Sequence, residues 1–126
     1  MSRVIDYLIV GQGLAGSVLS GLCELNGLDV VVVDNGHRTA ASASAAGMMN
    51  PITGKRLNRP HLVDTLLAAA FAVYPRLESL LGASVFQRRT VLRLLQSEIE
   101  QRQWETRLTS GEYAKYISPS AAPTPD

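Results

Sequence analysis

Three glycines and one carboxylate are the residues whose types and spacing point most directly to chemistry. The glycines stand in "GQGLAG" (Gly11, Gly13, Gly16), and Asp34 closes "DVVVVD", 18 residues after Gly16. The pattern suits recognition of a dinucleotide. Gly11 permits a tight turn, Gly13 lets a pyrophosphate approach the backbone, and Gly16 lets a helix pack close to a strand. A helix opening at Leu14 and Ala15 would offer unpaired N–H groups and a positive dipole end to phosphates. Asp34, with Asn35 beside it, stands where a carboxylate accepts hydrogen bonds from ribose hydroxyls. A bare strand-to-helix turn would explain the glycines but not the acid. The motif does not separate NAD from FAD. Asp34 argues against a 2′-phosphate, whereas Arg38 lies near enough in sequence to accommodate one.

The surrounding segments supply the context this motif needs. "VIDYLIVG" (Val4 to Gly11) reads as a short strand ended by glycine. "LAGSVLSGLCELNG" (Leu14 to Gly27) reads as a helix, with Leu14, Val18, Leu22 and Leu25 at helical spacing and Asn26-Gly27 as its stop. "DVVVVD" reads as a second strand, its valines buried on both faces as in a parallel sheet. Farther on, Pro60 to Leu81 carries an amphipathic pattern, and Pro75 should kink or divide that helix. Ser84 to Leu95 alternates imperfectly and predicts one or two antiparallel strands. "SEIE" (Ser97 to Glu100) is a capping box that starts a helix over about Glu98 to Leu108. The end, "SPSAAPTPD", reads as an extended or disordered tail.

Between the second strand and the long helix lies "ASASAAGMMNPITGKR" (residues 41 to 56). From Thr39 to Gly54 there is no charged side chain. Small residues let a chain lie flat against a ligand, and its N–H groups can bind phosphate or ring oxygens. A nicotinamide dehydrogenase would continue from the second strand into a helix and a third parallel strand. This uncharged stretch fits the edge of a flavin better.

"GQGLAG", Asp34 and "ASASAAGMMNP" together resemble the FAD-dependent oxidoreductases of the glycine oxidase and D-amino-acid oxidase superfamily. The specific element is Ser-x-x-Ala-Gly-Met, matched to Ser44, Ala46, Gly47 and Met48, with Ala45 and Met49 alongside; Ser42, in the same stretch, is a further cofactor-binding candidate. The resemblance is strong to about Gly54 and loose from there to about Leu108. It implies that this segment runs under the flavin, between pyrophosphate and isoalloxazine. It also implies oxidation of an amine or amino acid, with hydride passing from the substrate α-carbon to the flavin and an imine left to hydrolyse. The flavin would carry the redox chemistry. No catalytic triad is expected, and neither Ser42 nor Ser44 has an evident base.

The fold class expected is α/β: a Rossmann-type FAD/NAD(P)-binding β-α-β unit of a doubly wound parallel sheet, with the start of an antiparallel substrate domain. The boundaries expected are 1–83 for the cofactor-binding part, 84–117 for the beginning of the substrate domain, and 118–126 for the tail. The partner strands of such a sheet come later in the family. The chain is therefore expected to be an N-terminal piece that needs a missing C-terminal portion. The readings kept beside the flavoprotein one are a nicotinamide-dependent dehydrogenase and a non-catalytic nucleotide-binding fragment.

Twelve basic and 11 acidic residues give a net charge of +1, and the cations are dispersed, which argues against a nucleic-acid partner. Cys23 is the single cysteine, so no intrachain disulfide and no Cys/His metal spacing exist. This usage fits a reducing, cytoplasmic setting, and no signal peptide or membrane span is evident. Lys55 and Arg56 come directly after the uncharged stretch and would suit a substrate carboxylate or the flavin's reducible edge, but solvated loop cations are the plainer reading. His37 and His61 read as surface residues.

Overall fold

The computed structural model describes residues 4–36 and 40–119. His37, Arg38 and the tail from residue 120 lie outside the described residues. The order of elements is β1 (Tyr7–Val10), α1 (Leu14–Leu25), β2 (Val30–Val33), α2 (Ala41–Ser44), α3 (Val63–Leu81) and α4 (Glu98–Leu108). The chain is mixed α/β and divides into two compact units, Met1–Met48 with Ala68–Gln87, and Met49–Leu67 with Arg88–Asp126.

In the first unit, β1 and β2 form a two-stranded parallel sheet, Tyr7 opposite Val30 and Val10 opposite Val33. Reciprocal bonds close its leading end: Asp6 N–H donates to Asp29 O, and Asp29 N–H donates to the Asp6 carboxylate. Side chains alternate between faces along a strand. Ile9 turns towards α1 and is buried, whereas Leu8 and Val10 on the opposite face are 59% and 80% exposed. The valines expected to be buried on both faces are not, because Val31 and Val33 share that uncovered face. Helix α1 ends at Asn26, with Gly27 at φ +69° after it. Gly21 lies against α3, where a Cβ would come within 2.6 Å of Leu77 Cδ2. Ile9, Cys23 and Leu77 are the buried apolar residues of this unit.

Helix α3 starts three residues later than Pro60, and it continues through Pro75 rather than dividing there. The strands expected over Ser84 to Leu95 do not form. Glu78 accounts for the start of that stretch: its carboxylate accepts from Ser84 Oγ and from the N–H groups of Val85 and Phe86, at 2.7 Å and 2.9 Å for the two amides. Those amides are thereby committed to a side chain instead of a ladder. The Phe86 ring then stacks on Tyr74, with centroids 5.0 Å apart.

The second unit is built around Ile52, Leu57 and Tyr113, with Trp104, Tyr116 and Ile117 packed against them. Asn50 accepts from Ile52 N–H and so starts the turn read from Asn-Pro. Thr53 and Asn58 then pair as an antiparallel bridge, which puts Lys55 and Arg56 at an exposed tip. Leu57 is fully buried although its φ is +53°. The left-handed region costs a non-glycine residue about 1–2 kcal/mol. Burying a leucine is worth about 1.5–3 kcal/mol, so the core contact outweighs the strain. Helix α4 begins as its capping box requires, with Ser97 Oγ accepting from Glu100 N–H.

Candidate functional site

The site lies where the first unit's two strands end and α1 begins. Gly11, at φ +96°, donates its N–H to Val33 O at 2.8 Å, so the turn out of β1 is fastened to the end of β2. The turn is closed tightly enough that a Cβ on Gly16 would lie 1.9 Å from Gly11 O. No side chain fits there, which gives the third glycine of the motif a steric cause. Ser17 N–H donates to Gly13 O and makes the first helical bond of α1.

Asp34 is held from both sides. Its Oδ2 accepts the Gln12 N–H at 2.7 Å, and its Oδ1 accepts the Gly36 N–H at 2.6 Å. The carboxylate is therefore fixed at the strand end, beside the glycine turn. A shallow depression of about 290 Å³ opens there, lined by Val10, Gly11, Val33, Asp34 and Asn35. It occupies the crevice beyond the carboxyl ends of parallel strands, the position at which α/β sheets take their ligands.

Ser42 enters the same site from α2. Its Oγ accepts the Leu14 N–H, the first helical amide of α1, at 3.1 Å. A Cβ on Gly13 would lie 3.0 Å from that oxygen. The space that Gly13 leaves is thus used by a serine from 28 residues beyond Leu14. The open side of Gly13 faces this hydroxyl.

Gly11, Gly13, Leu14, Ala15, Gly16, Asp34, Asn35 and Ser42 therefore come together around one turn. Ser44, Ala45, Ala46, Gly47 and Met48 continue from α2 and are all exposed. Gly47 takes φ +67° and Met48 is 63% exposed. Met49 is 41% exposed and belongs to the second unit, as do Lys55 and Arg56. Among the described residues, no ion pair or side-chain hydrogen bond involves Lys55 or Arg56. His61 is exposed and Cys23 is buried as a free thiol.

Sequence reasoning missed two parts of this arrangement. The clasp of Asp34 by Gly36 had a signal, since Asp-Asn-Gly is a turn in which the acid side chain binds an amide two residues on. The contact between Ser42 and Leu14 had none, because a cap supplied from another element leaves no local pattern.

A cluster of charges lies in the second unit. Asp64 accepts from Lys115 at 2.5 Å and also from Tyr116 and Arg59. These partners, Lys115 foremost, hold its carboxyl well below the usual range, while burial and then Asp64 push the Tyr116 phenol up. Such a saturated carboxylate ties Arg59, α3 and the turn at residues 111–116 together. Among the described residues, no group of His, Cys, Asp and Glu is placed to hold a metal ion, and no helix is long and apolar enough to cross a membrane. No family model, curated protein or solved structure matches the chain.

Proposed function

We propose that this chain is the cofactor-binding portion of a cytoplasmic FAD-dependent oxidoreductase acting on an amine or amino acid. The observation that carries the reading is the clasp between Asp34 and the glycine turn. It brings a fixed carboxylate, a glycine with no room for a side chain (Gly16) and the start of α1 to the carboxyl end of a parallel strand pair.

These residues fit an adenine dinucleotide. The Asp34 carboxylate, fixed by the Gln12 and Gly36 amides, is the acceptor type that binds ribose hydroxyls. The first turn of α1 has a positive dipole end and no acidic side chain, which suits a pyrophosphate. Gly11 to Gly16 would hold the phosphates, Asp34 and Asn35 the adenosine ribose, and Ser42 to Met48 the flavin side. The bound flavin would accept the substrate hydride. This chain's residues would bind and orient it, and the resemblance to the glycine oxidase and D-amino-acid oxidase superfamily supplies the substrate class.

A nicotinamide enzyme is the second reading, because the motif alone serves both cofactors. It is disfavoured by the segment after β2, a single short helical turn and an exposed run of small residues. The test is a visible absorption spectrum of the chain after saturation with FAD and removal of excess. A retained flavin spectrum supports the reading. A colourless protein that binds NAD instead would replace it.

A further inference from the structure

We propose that Ser42 is a positioning residue that makes the ring side of the site depend on the glycine turn. The inference rests on the flavin reading of this site. Residues 41–48 are all exposed, so no apolar burial holds them. Their backbone bonds are local, Ala43 and Ser44 N–H both donating to Ala40 O. Among the described residues, the hydrogen bond from Leu14 N–H to Ser42 Oγ is the one that ties this segment to another element. A segment with so few contacts belongs to the least stable part of a fold. Its attachment point therefore sets where Ser44 to Met48 lie.

That attachment point is a part of the phosphate-facing turn. The Ser42 hydroxyl accepts from the backbone and keeps its own proton free to donate. Gly13 is shaped for it, since a Cβ there would press on Ser42 Oγ at 3.0 Å. The segment that would lie under the ring is thereby pinned to the amide that opens α1. Losing this hydrogen bond would leave the glycine turn and Asp34 in place and release the segment. The ring half of a ligand would then lose its support while the adenosine half kept its own.

The test compares two ligands on the full chain, ADP and FAD, by calorimetric titration of wild type, Ser42→Ala and Ser42→Thr. Wild type is expected to bind FAD more tightly than ADP. Ser42→Ala should shrink that preference about 2- to 10-fold, the worth of one hydrogen bond, and Ser42→Thr should restore it. Thermal midpoints check that Ser42→Ala leaves the fold intact, as the exposure of the segment leads one to expect. An equal loss for both ligands would make Ser42 a plain phosphate contact and overturn the proposal. So would no loss for either, or a wild type that binds ADP as tightly as FAD; both leave nucleotide binding standing. A wild type that binds neither ligand removes the flavin reading and the proposal with it.

Discussion

The Asp34 carboxylate accepts a hydrogen bond from the Gln12 N–H across 22 residues, at 2.7 Å. One side chain thus does two things: it clasps the glycine turn to the end of β2 and it faces the depression beside that turn. A residue with both duties should show two separable defects when it is changed.

Asp34→Ala removes both backbone clasps and is expected to cost about 1–2 kcal/mol, less than two charged hydrogen bonds in a dry site because Asp34 faces water. It should also weaken adenine nucleotide binding at least about tenfold. Asp34→Asn keeps one acceptor but turns an NH2 towards the other amide, so it should recover no more than about half of the stability and little of the affinity. Denaturant midpoints and ADP titrations on the two variants check this. An Asp34→Asn affinity equal to that of wild type would show that the charge has no part in recognition.

The same carboxylate should reject a phosphate on the ribose. Two like charges this close raise the free energy of the bound state. Adenosine 2′,5′-bisphosphate is therefore expected to bind at least about tenfold more weakly than ADP, and Asp34→Asn should narrow the gap. Tighter binding of the bisphosphate would instead assign the site to a phosphorylated cofactor.

The glycines should not be equivalent. Gly16→Ala drives a Cβ to 1.9 Å from Gly11 O, which is backbone and cannot yield cheaply. It should cost about 3 kcal/mol or more and abolish nucleotide binding. Gly36 has φ +70° but open space around its missing side chain. Gly36→Ala should cost only the conformational strain, about 1–2 kcal/mol. Thermal unfolding of the pair tests the ranking. A reversed order would mean that the turn opens to admit the methyl group.

How far the sequence was legible depends on which forces acted locally. β1, α1, β2 and the capped helix α4 were readable because their signals lie within a few residues: glycine punctuation, helical spacing, and a Ser-x-x-Glu box whose Ser97–Glu100 bond is present. The site's acid and glycines were readable for the same reason. The missed features all depend on a distant partner. Val31 and Val33 are exposed because one face of the sheet lacks a cover, and four valines in a row say nothing about what packs on them. The alternation over Ser84 to Leu95 suggested strands, but Glu78 captures the first amides. Ser42 could not be paired with Leu14 from sequence, since a cross-element cap has no periodicity.

Glu78 makes a pH prediction. The amides of Phe86 and Val85 stabilise its charged form and lower its pKa. The unfolded chain then binds more protons than the folded one as acid is added, so stability is full above the ordinary glutamate range and is lost as pH falls through the folded value. Asp64 is depressed too and adds to the loss. Glu78→Gln should be less stable than wild type at neutral pH, and the difference should shrink from about pH 4.5 downward. Urea midpoints over that range decide it. A pH-independent difference would show that the carboxylate's charge is irrelevant to holding Phe86.

Leu57 and Leu62 share a backbone conformation and should respond unequally to glycine. Their φ values are +53° and +59°, yet Leu57 is wholly buried and Leu62 is 55% exposed. Glycine removes about 1–2 kcal/mol of left-handed strain at either position. At Leu57 it also empties the centre of the cluster with Ile52 and Tyr113. Losing a buried leucine costs about 2–5 kcal/mol once the cavity is included. Leu57→Gly should therefore destabilise by up to about 4 kcal/mol net. At Leu62 roughly half a side chain's burial is lost, about 1 kcal/mol, so strain relief offsets it. Leu62→Gly should lie within about 1 kcal/mol of wild type, since the freedom glycine gives the unfolded chain offsets part of the strain relief. Urea unfolding of the two variants is the measurement. Comparable destabilisation in both would mean that Leu62 contributes more packing than its exposure indicates, and that burial is not what separates the two positions.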